Sequence, residues 1–301
     1  MNHDIFKPVY DLFGLNYPGA YITLLFFSFS LAFPICFFAG KKLGLNPWKQ
    51  VFLPVSIVPV TLVFSRIFHI LFEGMLGMYV DKLKEEGISY LFTVMLNPFG
   101  PGHVFYGGLL GGFLAGAVHT MINYPKNWKA FKFTADSAAL VVANGLWITR
   151  IGCFLEGCCF GRPSSFFGIS FPQGSRTMFM LHGIDPVNTS LYSNTQPLIP
   201  TQLIHSFTNF IIFAVLVKIL YGEKKQNPGY IAALFLLLYS ASRFLIEFLR
   251  YDIRGSFLFF STSQWISLIV FYLGFELYRH TKTGIDSSRR NNLKKNGSVL
   301  K

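Results

Sequence analysis

Long apolar stretches, separated by short polar segments, run along most of the chain. Each is about 20 residues long, which is the length an α-helix needs to cross a hydrocarbon core of about 30 Å. Pro47, Pro125 and Pro228 fall in connections between stretches. The pattern predicts about seven transmembrane helices: Tyr21–Gly40, Val51–Phe72, Val104–Tyr124, Ala135–Leu155, Leu203–Tyr221, Gly229–Phe248 and Ser261–Tyr278.

The polar connections differ in charge. Those that follow the first, third, fifth and seventh stretches hold fifteen Lys and Arg residues and two acidic ones. The opposite set, with the N-terminal segment, holds seven basic and ten acidic residues. Because basic residues beside membrane spans stay on the cytoplasmic side, we expect the N-terminus outside and the C-terminus in the cytoplasm.

These connections also predict the domain organisation. Residues 1–280 are expected to form a single transmembrane domain, and residues 281–301 a basic cytoplasmic tail. Two outer connections, 73–103 and 156–202, are long enough to carry function. The second contains FFGISFPQGS, a strand-like run bounded by Pro and Gly that predicts a small extracytoplasmic cap.

Composition agrees with an all-α integral membrane protein. Hydrophobic residues make up 52% of the chain and charged residues 13%, about half the charged share of soluble domains. The net charge of +12 is explained by the cytoplasmic connections, so no nucleic-acid partner is expected. The four cysteines do not form a disulfide scaffold, and the N-terminal segment lacks the basic region of a cleaved signal peptide.

Three arginines lie inside predicted spans at one depth. Arg150 and Arg243 are roughly 21–23 Å from the inner end of their helices at 1.5 Å rise per residue, and Arg66 reaches the same level in the second span. Guanidinium groups bind phosphate in a bidentate fashion. We therefore expect an anion site at the outer headgroup boundary, with a phospholipid headgroup as its ligand.

The segment SRFLIEFLR places Glu247 and Arg250 on the helix face of Arg243, and Tyr239 precedes it by one turn. This set either forms part of the anion site or only compensates the charge of Arg243 within the bundle. Among the other ionisable residues of the spans, Asp136 is expected to cap the start of its own helix, and Lys218 to extend to the interface.

Glycines recur in FYGGLLGGFLAGAVH, residues 105–119. Small residues four apart let membrane helices pack closely, which alone would explain Gly108, Gly112 and Gly116. Alternatively, Gly107 and Gly108 bring backbone N–H groups close to a bound headgroup.

Six motifs together resemble the prolipoprotein diacylglyceryl transferase family over roughly residues 20 to 278. In chain order they read SRIFHILF (65–72), YGGLLGG (106–112), TRIGCF with a trailing GRP (149–163), IPTQL (199–203), RFLIEFLR (243–250) after Tyr239, and SQWISL (263–268). Their order and spacing agree with the family's seven-span layout.

The resemblance implies a function. The family transfers the diacylglyceryl group of phosphatidylglycerol to the cysteine thiol of a prelipoprotein signal peptide in the bacterial inner membrane. It implies that Arg150 and Arg243 stabilise the leaving phosphate, that Glu247 orients Arg243, and that Gly161 and Arg162 shape the outer rim. The implied partners are phosphatidylglycerol, prelipoprotein signal peptides and membrane lipid, with no cofactor.

The chain departs from the family's motifs where that family has histidines and asparagines. Tyr106 and Ile199 replace two histidines, and Cys153 and Glu156 replace two asparagines. His103, three residues before Tyr106, is the nearest substitute for a lost imidazole. We therefore include Tyr106 and His103 among the candidate catalytic residues.

The cysteines Cys153, Cys158 and Cys159 allow three interpretations. They lack a fourth ligand and the usual paired spacing of a metal site, so no metal is expected. A disulfide between Cys153 and Cys158 or Cys159 on an oxidising outer face is one alternative, and free or catalytic thiols are the other.

Two other functional classes stay open. The chain could be a diverged phospholipid-binding or transport protein that keeps the arginine site without chemistry. It could also be a thiol-redox membrane protein built on the three cysteines.

Overall fold

The structure is a computed structural model that describes residues 4–12, 19–72, 76–90, 105–172, 175–182, 195–223, 227–251 and 256–297. Almost all regular structure in these ranges is helical. The helices are α1 (Lys7–Leu12), α2 (Ala20–Leu43), α3 (Pro47–Val51), α4 (Leu53–Phe72), α5 (Leu76–Glu86), α6 (Phe105–Asn123), α7 (Trp128–Glu156), α8 (Arg176–His182), α9 (Thr201–Tyr221), α10 (Tyr230–Glu247) and α11 (Thr262–Gly297). A short antiparallel hairpin, β1 (Ser256–Phe257) and β2 (Phe260–Ser261), precedes α11.

Five segments of the described chain are long and apolar enough to cross a membrane, which confirms an all-α membrane protein with several spans. They match the first, second, fourth, fifth and sixth predicted spans: Ala20–Leu43, Pro47–Leu71, Trp128–Glu156, Thr201–Tyr221 and Tyr230–Glu247. The other two predicted spans fall on α6 and the first half of α11, which are not among the five. The count of seven and the orientation stay predictions.

The chain folds as two compact units, Met1–Ile35 with Asp136–Lys301, and Cys36–Ala135. In the first unit, α10 packs along α9 and α11. Helix α7 joins this unit through Ser206, whose hydroxyl donates to the Trp147 carbonyl at 2.8 Å. A Cβ on Gly152 would lie 3.0 Å from the Tyr21 Cα, so α7 also closely approaches α2. This unit contains the candidate site.

Asp136 corrects one sequence prediction. It lies inside α7, which begins eight residues earlier at Trp128, and it caps α10 instead of its own helix. Its carboxylate oxygens accept hydrogen bonds from the backbone N–H groups of Gly229 and Ala232, both at 2.8 Å. The first N–H groups of a helix lack intrahelical partners, and the N-cap Gly229 has no side chain to supply one. Asp136 thus ties the start of α10 to α7.

The described part of residues 157–200 forms the small cap predicted for the second long connection. Its core is Phe160, Phe171 and Leu198, all fully buried. Backbone bridges pair Leu198 with Pro163 and Ile169. In its described residues, the strand-like run FFGISFPQGS therefore forms isolated bridges and not an extended strand. The location of the cap outside the membrane stays a prediction.

Two other predicted segments contain helical structure. Residues 73–103, predicted as an outer loop, include α5, in which Lys82 and Glu86 form an ion pair one turn apart at 3.6 Å. The last helix continues to Gly297, through most of residues 281–301, whose place as a cytoplasmic tail stays a prediction.

In the second unit, α4 packs along α6 at two glycines. A Cβ on Gly107 would lie 2.3 Å from the Phe64 carbonyl oxygen, and one on Gly111 would lie 2.9 Å from the Val60 carbonyl oxygen. Nothing lies within 4 Å of a Cβ on Gly116. The four-residue spacing does let the helices approach, but Gly107 and Gly111 make the tightest contacts, and Gly116 plays no such part.

This contrast predicts different effects for one substitution at two positions of α6. Gly111→Ala should lower the free energy of unfolding by about 1–3 kcal/mol, because its methyl group overlaps α4. Gly116→Ala should be neutral or stabilise by about 0.5–1 kcal/mol, since it restricts the unfolded chain without a clash. Thermal unfolding in detergent measures both. Equal effects of the two substitutions would contradict the packing of α4 on α6.

Candidate functional site

Arg243 lies near the end of α10, and only 8% of its surface is exposed. Its Nη1 donates to Glu247, one helical turn later, and lies 3.5 Å from His205 Nε2 on α9. Its Nη2 donates to Ser263 Oγ on α11 at 3.0 Å. Three helices therefore hold this guanidinium, so its position is set by the packing of the unit.

Glu247 is the carboxylate at the centre of the site. Besides Arg243, it pairs with Arg250 at 3.7 Å from the guanidinium Nε, and it accepts a hydrogen bond from Ser261 Oγ at 3.0 Å. Ser261 also accepts from the N–H of Gln264 at 3.2 Å, and Gln264 Oε1 accepts from the N–H of Ser261 at 2.9 Å. These reciprocal bonds form a capping box, so the start of α11 is fixed at Glu247.

Arg150 lies near the end of α7 and joins the same cluster. It interacts electrostatically with Tyr239 and Arg250, and Arg243 interacts with Tyr239 and Arg150. The structure therefore brings together Arg150, Tyr239, Arg243, Glu247 and Arg250, as the sequence predicted. These residues include three guanidiniums and one carboxylate, which pairs with Arg243 and Arg250, so the cluster is positive.

The segment after α7 is held against the ends of α9 and α10. The Gly161 N–H donates to the Ile199 carbonyl at 2.9 Å, and the Arg162 N–H donates to the Leu249 carbonyl at 2.9 Å. A Cβ on Gly161 would lie 2.6 Å from the Leu249 carbonyl oxygen, so only glycine fits this approach. The Arg162 side chain is exposed, which agrees with a place at the rim.

The three cysteines of this segment also meet. The sulfurs of Cys153, Cys158 and Cys159 all lie within 4.8 Å of one another. Hydrogen bonds with the Cys153 and Cys158 thiols lower the pKa of the Cys159 thiol. Arg150 and Arg250 act on the Cys159 thiol in the same direction.

Other predicted site residues do not belong to this unit. Arg66 is buried in α4, and Gly107 and Gly108 lie on α6, all within the second unit. Their part in the anion site stays a prediction. His103 lies outside the described residues, and so does the side chain of Tyr106.

Sequence reasoning missed several polar partners of the arginines. His205 is 1% exposed and lies beside Arg243, a contact that the sequence did not predict. The signal was present in IPTQLIHS, where His205 follows Gln202 by three residues on one helix face. Ser261 and Ser263 gave no comparable signal, because serine is common in every kind of segment.

The arrangement is suited to an anion whose charge increases during a reaction. Arginine donors bind phosphate oxygens at fixed angles, and partly buried charges act more strongly than charges in water. Glu247 offsets the repulsion between the guanidiniums of Arg243 and Arg250, and Arg243 also contacts Ser263 and His205. The negative charge that a phosphate leaving group gains as its ester bond breaks would be stabilised here.

Comparison with known proteins agrees with this chemistry. The model of the family described as prolipoprotein diacylglyceryl transferase matches residues 20–279. The phosphatidylglycerol–prolipoprotein diacylglyceryl transferase 2 of Clostridium perfringens is 35% identical over 262 residues, which cover 81% of this chain and 94% of that protein. The phosphatidylglycerol–prolipoprotein diacylglyceryl transferase of Clostridium tetani is 29% identical over 274 residues, or 89% and 95% of the two chains. This chain therefore belongs to the prolipoprotein diacylglyceryl transferase family.

Proposed function

We propose that this protein transfers the diacylglyceryl group of phosphatidylglycerol to the thiol of a prelipoprotein cysteine. The observation that carries the proposal is the contact set of Arg243, which joins Glu247, His205 and Ser263 within a cluster of three arginines. Family membership supports the reaction, and relatives from two clostridia carry its name.

In this proposal, the phosphate that gains negative charge during the reaction lies at the arginines. The sulfur of the substrate cysteine attacks the glyceryl carbon that is bonded to a phosphate oxygen, and the carbon–oxygen bond breaks. Glycerol phosphate leaves with the bonding electron pair, so its phosphate gains negative charge. Arg150 and Arg243 stabilise that charge, while Glu247 positions Arg243 and Arg250.

The remaining predicted residues complete the proposal. Arg66, Gly107 and Gly108 contribute to headgroup binding, and Tyr239 lies beside the phosphate. Gly161 and Arg162 form the rim that the substrates pass. Tyr106 and His103 are the candidates for accepting the proton of the incoming thiol, whose ordinary pKa near 8.5 leaves little thiolate at neutral pH.

We further propose that the protein resides in the bacterial inner membrane, with the N-terminus outside and the C-terminus in the cytoplasm. Lys41, Lys42 and Lys49 surround the end of α2 and support this orientation. It places the end of α7, with Arg150, at the outer headgroup level.

Substitution of Arg243 tests the proposed function. Arg243→Gln should lower kcat/KM for transfer by about 10²–10³, the usual loss for one donor to a developing negative charge. Arg243→Lys should also lose most activity, because an ammonium group cannot contact Glu247, His205 and Ser263 together. Transfer from phosphatidylglycerol to a cysteine-containing signal peptide is followed by mass spectrometry with purified protein.

Lys218→Gln is the matched control for these variants. Lys218 is a basic residue on α9 whose side chain is exposed, so its loss should leave transfer unchanged. Size-exclusion profiles of all variants check that they fold. If the folded Arg243→Gln variant transfers at the wild-type rate, the proposal that the arginine cluster stabilises the phosphate is contradicted.

Reporter fusions test the orientation. A fluorescent protein fused after residue 301 should be bright, because it folds in the cytoplasm, and alkaline phosphatase fused there should be inactive. Alkaline phosphatase fused after residue 172, within the cap, should be active, since that segment is proposed to lie outside. The reverse activities of the two phosphatase fusions would contradict the proposed topology.

A further inference from the structure

Cys153, Cys158 and Cys159, here called the thiol trio, have the geometry of a metal-binding set. Their sulfurs lie within 4.8 Å of one another. Three thiolates bound to one tetrahedral Zn²⁺ at about 2.3 Å are separated by about 3.8 Å. Each sulfur pair therefore needs to close by about 1 Å or less, which small side-chain rotations supply.

The end of α7 brings the first two cysteines together. The helix ends in a Schellman motif, with Gly157 in the left-handed region at a φ of 70°. The Cys158 N–H donates to the Cys153 carbonyl at 3.0 Å, and the Gly157 N–H donates to the Phe154 carbonyl at 3.2 Å. Because this turn folds the chain back on the last helical residues, Cys158 lies beside Cys153 through backbone geometry.

Cys159 is held in place from α9. Gln202 Nε2 donates to the Cys158 carbonyl and Thr201 Oγ1 donates to the Cys159 carbonyl, both at 2.7 Å. Gln202 and Thr201 are fully buried. Cys159 itself has a φ of 64°, which is uncommon for a residue with a side chain. The backbone of the thiol trio is thus fixed on both sides, which is the preorganisation that a metal site needs.

Two guanidinium groups interact electrostatically with members of the thiol trio. Arg150 interacts electrostatically with Cys153 and Cys159, and Arg250 interacts with Cys159. Three thiolates and one Zn²⁺ carry a net charge of −1, and the neighbouring guanidiniums offset it. The same guanidiniums form the proposed phosphate site, so a metal held here would be next to the reacting phosphate ester.

The presence of three thiols favours a metal site over a disulfide. A disulfide uses two sulfurs and leaves the third without a role, whereas soft thiolate ligands that converge in threes suit Zn²⁺. Among the described residues, this group of possible ligands has three members. Three protein ligands with one open position are typical of catalytic zinc, whereas structural zinc has four.

We propose that Cys153, Cys158 and Cys159 bind one Zn²⁺ ion, and that its fourth coordination position takes the prelipoprotein cysteine as a thiolate. The inference rests on the proposed transfer function and supplies its nucleophile. It also explains why a family member can lack the histidines and asparagines of the family's motifs: a metal-bound thiol is deprotonated outright, which reduces the need for a strong base.

The step balances without an oxidant or reductant. The substrate thiol releases its proton as the sulfur binds Zn²⁺, and water takes up this proton either directly or from the acceptor named in the proposed function. The sulfur then forms a bond to the glyceryl carbon with its own electron pair, and the bond from that carbon to the phosphate oxygen breaks. Glycerol phosphate leaves with that pair, and Zn²⁺ keeps its charge throughout. The product thioether is neutral and binds Zn²⁺ weakly, so it can dissociate.

Metal content tests the site without reference to activity. The full-length protein, purified in detergent with reductant and dialysed after addition of zinc, should hold about one Zn²⁺ per chain. The triple variant Cys153→Ser, Cys158→Ser, Cys159→Ser should hold less than about a tenth of that, and each single variant should bind at least about tenfold more weakly. Co²⁺ in place of Zn²⁺ should give thiolate charge-transfer absorption in the wild type and none in the triple variant.

Cys36→Ser is the matched control. Cys36 is a fully buried cysteine of α2 outside the thiol trio, so its loss should leave zinc content and the cobalt spectrum unchanged. Size-exclusion and thermal unfolding profiles identify any variant that fails to fold. A zinc-free wild type with three alkylatable thiols, a native disulfide within the thiol trio, or full zinc in the folded triple variant would overturn the site.

A peptide titration tests the open position. A signal peptide with its cysteine should change the cobalt spectrum, and the same peptide with serine should not; equal spectra would overturn substrate coordination. Removal of zinc should lower transfer at least about a hundredfold, with recovery on its return. Transfer that persists without zinc overturns the inference but leaves the proposed function standing. If the bound metal responds to the peptide but no transfer occurs, the proposed function is overturned and the metal site stands.

Discussion

A guanidinium group inside an apolar helix bundle is stable only if a counter-charge and hydrogen-bond acceptors accompany it. Glu247 meets that requirement for Arg243 and Arg250 together, and Ser261 binds its other oxygen. Because Ser261 caps the start of α11, this one carboxylate couples the end of α10 to the start of the next helix. The positive cluster, and with it the proposed phosphate chemistry, depends on that contact.

The segment after α7 meets this cluster because its backbone has few alternatives. A Schellman turn, two hydrogen bonds from α9 and the close approach of Gly161 to Leu249 place the three cysteines beside Arg150. The thiol trio therefore adjoins the proposed phosphate site through Arg150. In a reaction between a thiol and a phosphate ester, the nucleophile and the leaving group must lie close together.

Much of the site was predictable from the sequence, because helical spacing and span depth are local properties. Helical spacing put Tyr239, Arg243, Glu247 and Arg250 on one face of the chain, and these residues do lie together with Arg150 in the structure, while their depth in the membrane stays a prediction. Contacts across the fold were not predictable in that way. Asp136 caps a helix about 90 positions later in the chain, and His205 reaches Arg243 from another helix. The cysteine spacing lacked a paired zinc pattern, and only the turn at Gly157 brings the three sulfurs together.

An experimental structure with phosphatidylglycerol bound tests the central claim, that the arginine cluster holds the phosphate of the lipid substrate. The account predicts the headgroup phosphate within hydrogen-bond distance of Arg150 and Arg243, with Glu247 still paired to Arg243. A headgroup bound elsewhere, with these arginines paired only to protein groups, would contradict it.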